Sequence, residues 1–289
     1  MINTSGTRYS LGPWSENVYV FRGWQDFLKK NTLLKFENFF ELNGNVVDIN
    51  KRSVVHRITF GESTDVFYLK VHENYTRKDI STFFKRIPVV QIELENLMYY
   101  GRCRLDALEP VATGWQYEKK TGRGFLLLQD LTGFKSLQKW LSDTDFGHNK
   151  LLLQKMTNNL ADMVSTIHEN GLAHTDLYSW HIFMKRVGDD FICQPIDLER
   201  TEKSGKWLFS QWFMQRKQAR DLAVLFLTVP WPLVSATGRL RFFLRYRNHP
   251  RLTKNDKRLI RLILKIAKRL GKRSKFKPFG IGERFTSSL

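Results

Sequence analysis

The stretch His174–Lys185, HTDLYSWHIFMK, with PIDLER at Pro195–Arg200, decides how the rest of the chain is read. His174-Thr175-Asp176 puts a histidine and a carboxylate in a polar loop, and His181 follows five residues after Asp176. An apolar run, a turn at Gly188-Asp189-Asp190 and a second apolar run then lead to Asp197. This pattern predicts strand–turn–strand with ionisable groups at both ends. Carboxylates in such apolar surroundings need partners, because burying an unpaired charge is costly. Asp176 and Asp197 are therefore expected to face a ligand or a metal.

The segments upstream supply further candidates. LLKFENFF, NVVDI, SVVHRITF and DVFYLKV, between Leu33 and Val71, are rich in β-branched and aromatic residues and predict a small antiparallel sheet. Residues Ser15–Lys30 suggest a short helix. Lys70 lies inside the last apolar run, where its ammonium needs an anion unless the strand is an edge facing water. Pro88 suits the first position of a helix running through VVQIELENLMYYGR, which carries Glu93 and Glu95. Glu109–Tyr117 and Gly124–Gln129 read as two strands, and QDLTG as a hinge into a helical half with helices at Ser136–Leu141 and Lys150–Glu169.

Phosphoryl transfer to an alcohol uses such a set. One aspartate orients the hydroxyl and accepts its proton, further ligands hold Mg²⁺, and a strand lysine paired to a helix glutamate meets the nucleotide phosphates. On that pattern Asp176 is the expected catalytic base and His181 and Asp197 the metal ligands. Lys70 with Glu93 is the nucleotide-binding pair, with Glu95 as the fallback. His181 also has a plain reading as a core histidine, and either glutamate as a solvated helix charge. Neither GxGxxG nor GxxxxGK[ST] occurs, and Gly44 and Gly61 stand alone, so any loop covering the phosphates is atypical. A zinc site from His72, His174 and His181 lacks cysteine or HExxH-type spacing.

Composition bounds the rest. Eight Trp and 22 Phe in 289 residues argue for a folded chain. Cys103 and Cys193 are far apart and read as two reduced thiols. No secretory signal precedes the fold, and the most apolar stretch, Leu222–Val234, holds two prolines and is too short to span a bilayer, which predicts a cytoplasmic protein. The net charge of +19 is unevenly spread: from Arg239 onward 17 Lys+Arg face two acids, leaving +4 for the first 238 residues. Within that end, Leu259, Ile260, Ile263, Ile266, Ala267 and Leu270 fall on one helical face and Arg261, Lys265, Lys268 and Lys272 on another. Such a face suits an anionic membrane or a phosphorylated substrate, and no nucleic-acid reading module accompanies it.

HTDLYSWHIFMK and PIDLER closely resemble the Kdo/WaaP family of lipopolysaccharide core kinases, whose pattern is H-x-D-x-Y-x-x-H-F-L-L and then I-D-L-H-R. Tyr178, His181, Asp197, Leu198 and Arg200 match it. FYLKVH is similar to the family's lysine strand, RIPVVQIELENL to its glutamate helix, LLLQDLTGFKSLQKWL to its hinge, and Ala219–Ala223 to a helix whose aspartate, here Asp221, braces the catalytic loop. Glu199, where the family usually has histidine, and Trp180 depart from it. The resemblance implies an α+β, protein-kinase-like bilobal fold. The expected division is a β-rich N-terminal lobe at 1–128, a mainly helical C-terminal lobe at 129–238, and a basic helical extension at 239–289. It further implies ATP and Mg²⁺, phosphorylation of a heptose hydroxyl in the lipopolysaccharide inner core, and a place on the cytoplasmic face of the inner membrane. Kinases of Kdo, an aminoglycoside or a protein tyrosine, and a non-catalytic binding module, are the alternatives.

Overall fold

Strand propensity before Asp130 resolves into a seven-stranded antiparallel sheet in a computed structural model, which describes residues 10–61, 64–78, 86–118, 121–143, 149–205, 210–230, 233–273 and 276. The chain divides into two compact units, Met1–Thr132 and Gly133–Leu289. In the first unit the strands are β1 (Leu11–Ser15), β2 (Val18–Phe21), β3 (Asn45–Ile49), β4 (Ser53–Thr59), β5 (Val66–Glu73), β8 (Pro110–Glu118) and β9 (Thr121–Gln129), ordered β1-β2-β8-β9-β5-β4-β3. A small ladder, β6 (Thr76–Lys78) with β7 (Arg86–Pro88), leads into helix α2 (Val89–Arg102). The core is aromatic, with Phe39 stacked on Phe125 at 3.9 Å and Phe27 against Phe67 at 4.8 Å.

Two local expectations fail here for identifiable reasons. Ser15–Lys30 is not one helix: Asn17 adopts φ 61° and closes the β1–β2 hairpin, leaving α1 only Gln25–Lys30. Asparagine tolerates that left-handed conformation at little cost. FENF is not a strand but a single 3₁₀ turn at Phe36–Phe39, where the Asn38 side chain accepts from the Lys35 amide at 2.9 Å and Phe36 and Phe39 turn into the core.

The second unit is mainly helical. Its helices are α3 (Leu137–Ser142), α4 (Lys150–Glu169), α5 (Ser210–Thr228), α6 (Ala236–Tyr246) and α7 (Lys254–Gly271). Short ladders join β10 (Lys135–Ser136) to β12 (Ile182–Val187), β12 to β13 (Asp190–Pro195), and β11 (Leu172–Ala173) to β14 (Glu202–Lys203). Asn149 caps α4 by accepting from Leu152 N, and Gly171 at φ 71° ends it. One core gathers Leu160, Val164, Ile182, Met184, Leu222, Val224, Ile263 and Leu270. Cys193, against that core, has its thiol pushed up to about 12 by burial and by Asp162, which makes it a poor nucleophile.

Helix α7 spends its apolar stripe inside this core and turns Lys257, Arg258, Arg261, Lys265, Lys268, Arg269 and Lys272 to solvent. Its N-terminus is locked by Asp256, which accepts from Thr253 Oγ1 (2.6 Å), Thr253 N (3.0 Å) and Arg247 Nε (2.9 Å) and pairs with His249 Nδ1 (2.7 Å). Among the described residues no helix is long and apolar enough to cross a membrane.

Candidate active site

Lys70 lies on β5, whose neighbours are β9 and β4, so the strand is interior and not an edge. The lysine pairs across the sheet with Leu126 and Val55, which offer its ammonium nothing polar. Helix α2 supplies the anion: Glu93 Oε2 lies 2.9 Å from Lys70 Nζ, with the side chains 4% and 11% exposed. The approach of α2 depends on Gly124 of β9, where an added Cβ would sit 2.4 Å from Val90 Cγ1. A side chain there would push out the helix turn that carries Glu93. Glu95 faces the other way and accepts from Gln91 Nε2 at 3.1 Å, so the structure selects Glu93 of the two glutamates.

The β3–β4 turn is closed without glycine. Asn50 Oδ1 accepts from the amides of Arg52 and Ser53, both at 3.0 Å, and Asn50 Nδ2 donates to Ser53 Oγ at 2.6 Å. An Asx turn thus does locally what a glycine would do by conformational freedom. Lys51 and Arg52 stand exposed at its tip.

In the second unit the loop after β11 is held from three sides. The His174 amide donates to Asp221 Oδ2 at 2.7 Å, and the His174 ring meets the Ile196 carbonyl at 2.9 Å. Ser179 donates from both its amide and hydroxyl to Thr228. Asp221, fully buried on α5, also pairs with His168 at 3.3 Å. Its role is the brace expected from its position. Trp180 stacks on Tyr178 at 4.5 Å, so it serves packing.

Asp176 is 8% exposed and each carboxylate oxygen faces a guanidinium. Arg200 Nε lies 3.2 Å from Oδ2, and Arg220 Nη2 lies 3.5 Å from Oδ1. These long contacts hold the carboxylate in place without saturating it. Arg200 stood out in the sequence only as part of a motif, and Arg220 not at all. The one available signal was an arginine directly preceding a helix aspartate destined for burial.

His181 Nδ1 lies 2.9 Å from the Asp176 carbonyl, which can only accept, so Nδ1 carries the proton. Nε2 is then left with its lone pair, 3.9 Å from Asp197 Oδ2. Burial lowers the imidazole pKa below its ordinary value, against the opposing pull of Asp197 and of the hydrogen bond to Asp176. A neutral ring with a fixed tautomer, aimed at a carboxylate, fits a divalent cation. Asp197 itself adopts φ 60°, and Thr175 φ 64°, unusual for residues with a Cβ. Thr175 Oγ1 donates to the Arg200 carbonyl at 2.8 Å, which ties the loop to the segment after Asp197. Glu199 is buried with Oε1 3.8 Å from Arg200 Nε.

Residues 37–235 match the lipopolysaccharide kinase (Kdo/WaaP) family. No curated protein matches the chain in sequence. Among solved structures it is similar to WaaP in complex with acyl carrier protein, with a TM-score of 0.64 and 19% identity, covering 84% of this chain and 96% of that one. That likeness carries the fold, which is protein-kinase-like.

Proposed function

The chain belongs to the lipopolysaccharide kinase (Kdo/WaaP) family, and we propose that it transfers the γ-phosphoryl group of ATP to a heptose hydroxyl of the lipopolysaccharide inner core. The observation that supports this most is Asp176 between Arg200 and Arg220, with the free Nε2 of His181 turned toward Asp197. In this reading Asp176 orients the acceptor hydroxyl and takes its proton as the oxygen attacks the γ-phosphorus and the bond to the β-phosphate breaks. Lys70, steadied by Glu93, meets the nucleotide phosphates. His181 and Asp197 would hold Mg²⁺, which when bound neutralises charge on the β- and γ-phosphates. Arg200 and Arg220 fix the Asp176 carboxylate so that one orientation faces the acceptor.

The basic face of α7 suits peripheral contact with the anionic inner membrane on its cytoplasmic side, where the acceptor lipid is anchored. Replacing Arg261, Lys265, Lys268 and Lys272 by Glu is expected to abolish co-sedimentation with phosphatidylglycerol vesicles while ATP binding persists; unchanged co-sedimentation refutes the contact.

The functional test offers purified protein, Mg²⁺ and labelled ATP three acceptors: heptosylated lipopolysaccharide core, an aminoglycoside and a generic protein. Transfer to the first alone is expected. A heptose-free core carrying only Kdo, run beside it, tells the two sugars apart, and transfer to that core moves the acceptor to Kdo.

A further inference from the structure

Helix α5 has two unlike halves. From Ala219 to Thr228 it is largely buried, as a central core helix should be. Its first turns instead present Trp212 and Phe213, 54% and 56% exposed, packed edge-on at 5.0 Å. The Arg216 guanidinium lies over the Trp212 ring at 5.0 Å and is itself exposed. The core does not use these rings, and exposing two large aromatics side by side has a solvation cost that a binding role offsets.

The position of the pair gives it a direction. Trp212, Arg216 and Arg220 are spaced i, i+4, i+8 and so form one stripe along the helix, about 12 Å from end to end. The stripe ends at Arg220, whose Nη2 lies 3.5 Å from Asp176 Oδ1. Lys217, one position round the helix from Arg216, is ion-paired to Glu202 of β14 and so fastens the segment after Asp197 to this helix. An aromatic face, an exposed guanidinium and a guanidinium on the reacting carboxylate thus follow one another toward the place where the acceptor hydroxyl must arrive.

We infer that the Trp212–Arg216 pair is the acceptor platform: a sugar of the core oligosaccharide next to the one being phosphorylated packs its C–H face on Trp212, and an anionic substituent on it, carboxylate or phosphate, is taken by Arg216. A pyranose offers an aromatic ring an apolar face with hydroxyls at its rim, and a planar guanidinium matches a carboxylate or phosphate with paired donors. The cation–π contact already orders both side chains, which lowers the entropy lost on binding. Charge favours this occupant over a neutral one, since Arg216 stands exposed on the stripe while Asp176 and Glu202, the acids ion-paired to this helix, already have Arg200, Arg220 and Lys217 as partners.

This assignment rests on the kinase reading, and a direct binding experiment separates the two. Delipidated inner-core oligosaccharide is titrated into full-length protein by calorimetry without ATP, and phosphotransfer is measured in parallel. Trp212→Ala and Arg216→Ala are each expected to weaken oligosaccharide binding about tenfold and to raise the acceptor KM similarly, with the KM for ATP unmoved. Trp212→Phe should restore most of the binding, which loss of folding would not permit. Oligosaccharide affinity unchanged in both alanine variants overturns the platform, even with a wild-type protein that phosphorylates the core. Trp212-dependent binding without phosphotransfer by wild type leaves the platform standing and refutes the kinase reading. A third arm uses phosphatidylglycerol vesicles: variants that lose vesicle binding but keep oligosaccharide affinity identify the pair as a membrane contact and overturn the proposal.

Discussion

Two buried aspartates of the second unit, Asp176 and Asp256, both meet an arginine and yet are built to opposite ends. Asp256 has no exposed surface and its two oxygens take four contacts of 2.6–3.0 Å from Thr253, Arg247 and His249. Burial alone would raise its pKa, but the hydrogen bonds from Thr253, His249 and Arg247 outweigh it and hold the carboxyl far below the usual range. Asp176 keeps a small exposed area and has two guanidiniums at 3.2 and 3.5 Å, both partly in solvent. The first carboxylate is saturated and can only hold helix α7 in place. The second is oriented but still has lone pairs to give, which a base requires. Saturation, more than burial, is what separates the two carboxylates in this fold.

Substitutions that exchange the expected outcomes of these two sites would break the contrast. The largest effect belongs to Asp176→Asn, which removes the proton acceptor while keeping shape. Phosphotransfer is expected to fall roughly 10²–10⁴-fold, with the urea midpoint close to wild type. Activity near wild type would refute the base. Asp256→Ala should do the reverse, costing about 3–5 kcal/mol of stability in urea unfolding because Arg247 and His249 lose their shared partner, with turnover per folded molecule retained.

The same aspartate carries a pH signature. Its folded pKa is depressed, so its contribution is fully present above about pH 4, the range of an unfolded carboxyl, and is lost as pH falls below that. The stability gap between wild type and Asp256→Asn should therefore shrink on acidification below about pH 4, and a constant gap would contradict the hydrogen-bonded carboxylate. The smallest effect is expected for Arg220→Gln, which loosens Asp176 without removing it. A fall in kcat on the order of tenfold, with KM for ATP unchanged and partial rescue by Arg220→Lys, marks a positioning residue. An equal loss in stability and none in kcat would make Arg220 structural only.

Much of this was legible in the residues. HTDLYSWH and PIDLER carried the residues of the proposed site because phosphoryl-transfer chemistry needs fixed residue types at short range, and the turn at Gly188 fixed the hairpin that brings His181 and Asp197 together. The helix over Lys150–Glu169 was readable to the residue from its period, while its Asn149 cap came only with the structure. FENF misled because aromatic residues serve a 3₁₀ turn as well as a strand when the same faces must be buried. The choice of Glu93 over Glu95 was a weighing of neighbours in sequence until α2 took its rotation.

What the sequence determined by itself was therefore the inventory and the local grammar: the candidate base and metal ligands, the elements that carry them, and the amphipathic basic helix. What only the tertiary structure decided were relations between residues far apart in the chain. Among these are Lys70 on an interior strand, the closeness of α2 allowed by Gly124, the grip of Arg220 on Asp176 from 44 residues away, and the saturation of Asp256. The physical reason is that periodicity and capping act over a few residues, whereas the partner of a buried charge is chosen by packing, which no short window of sequence contains.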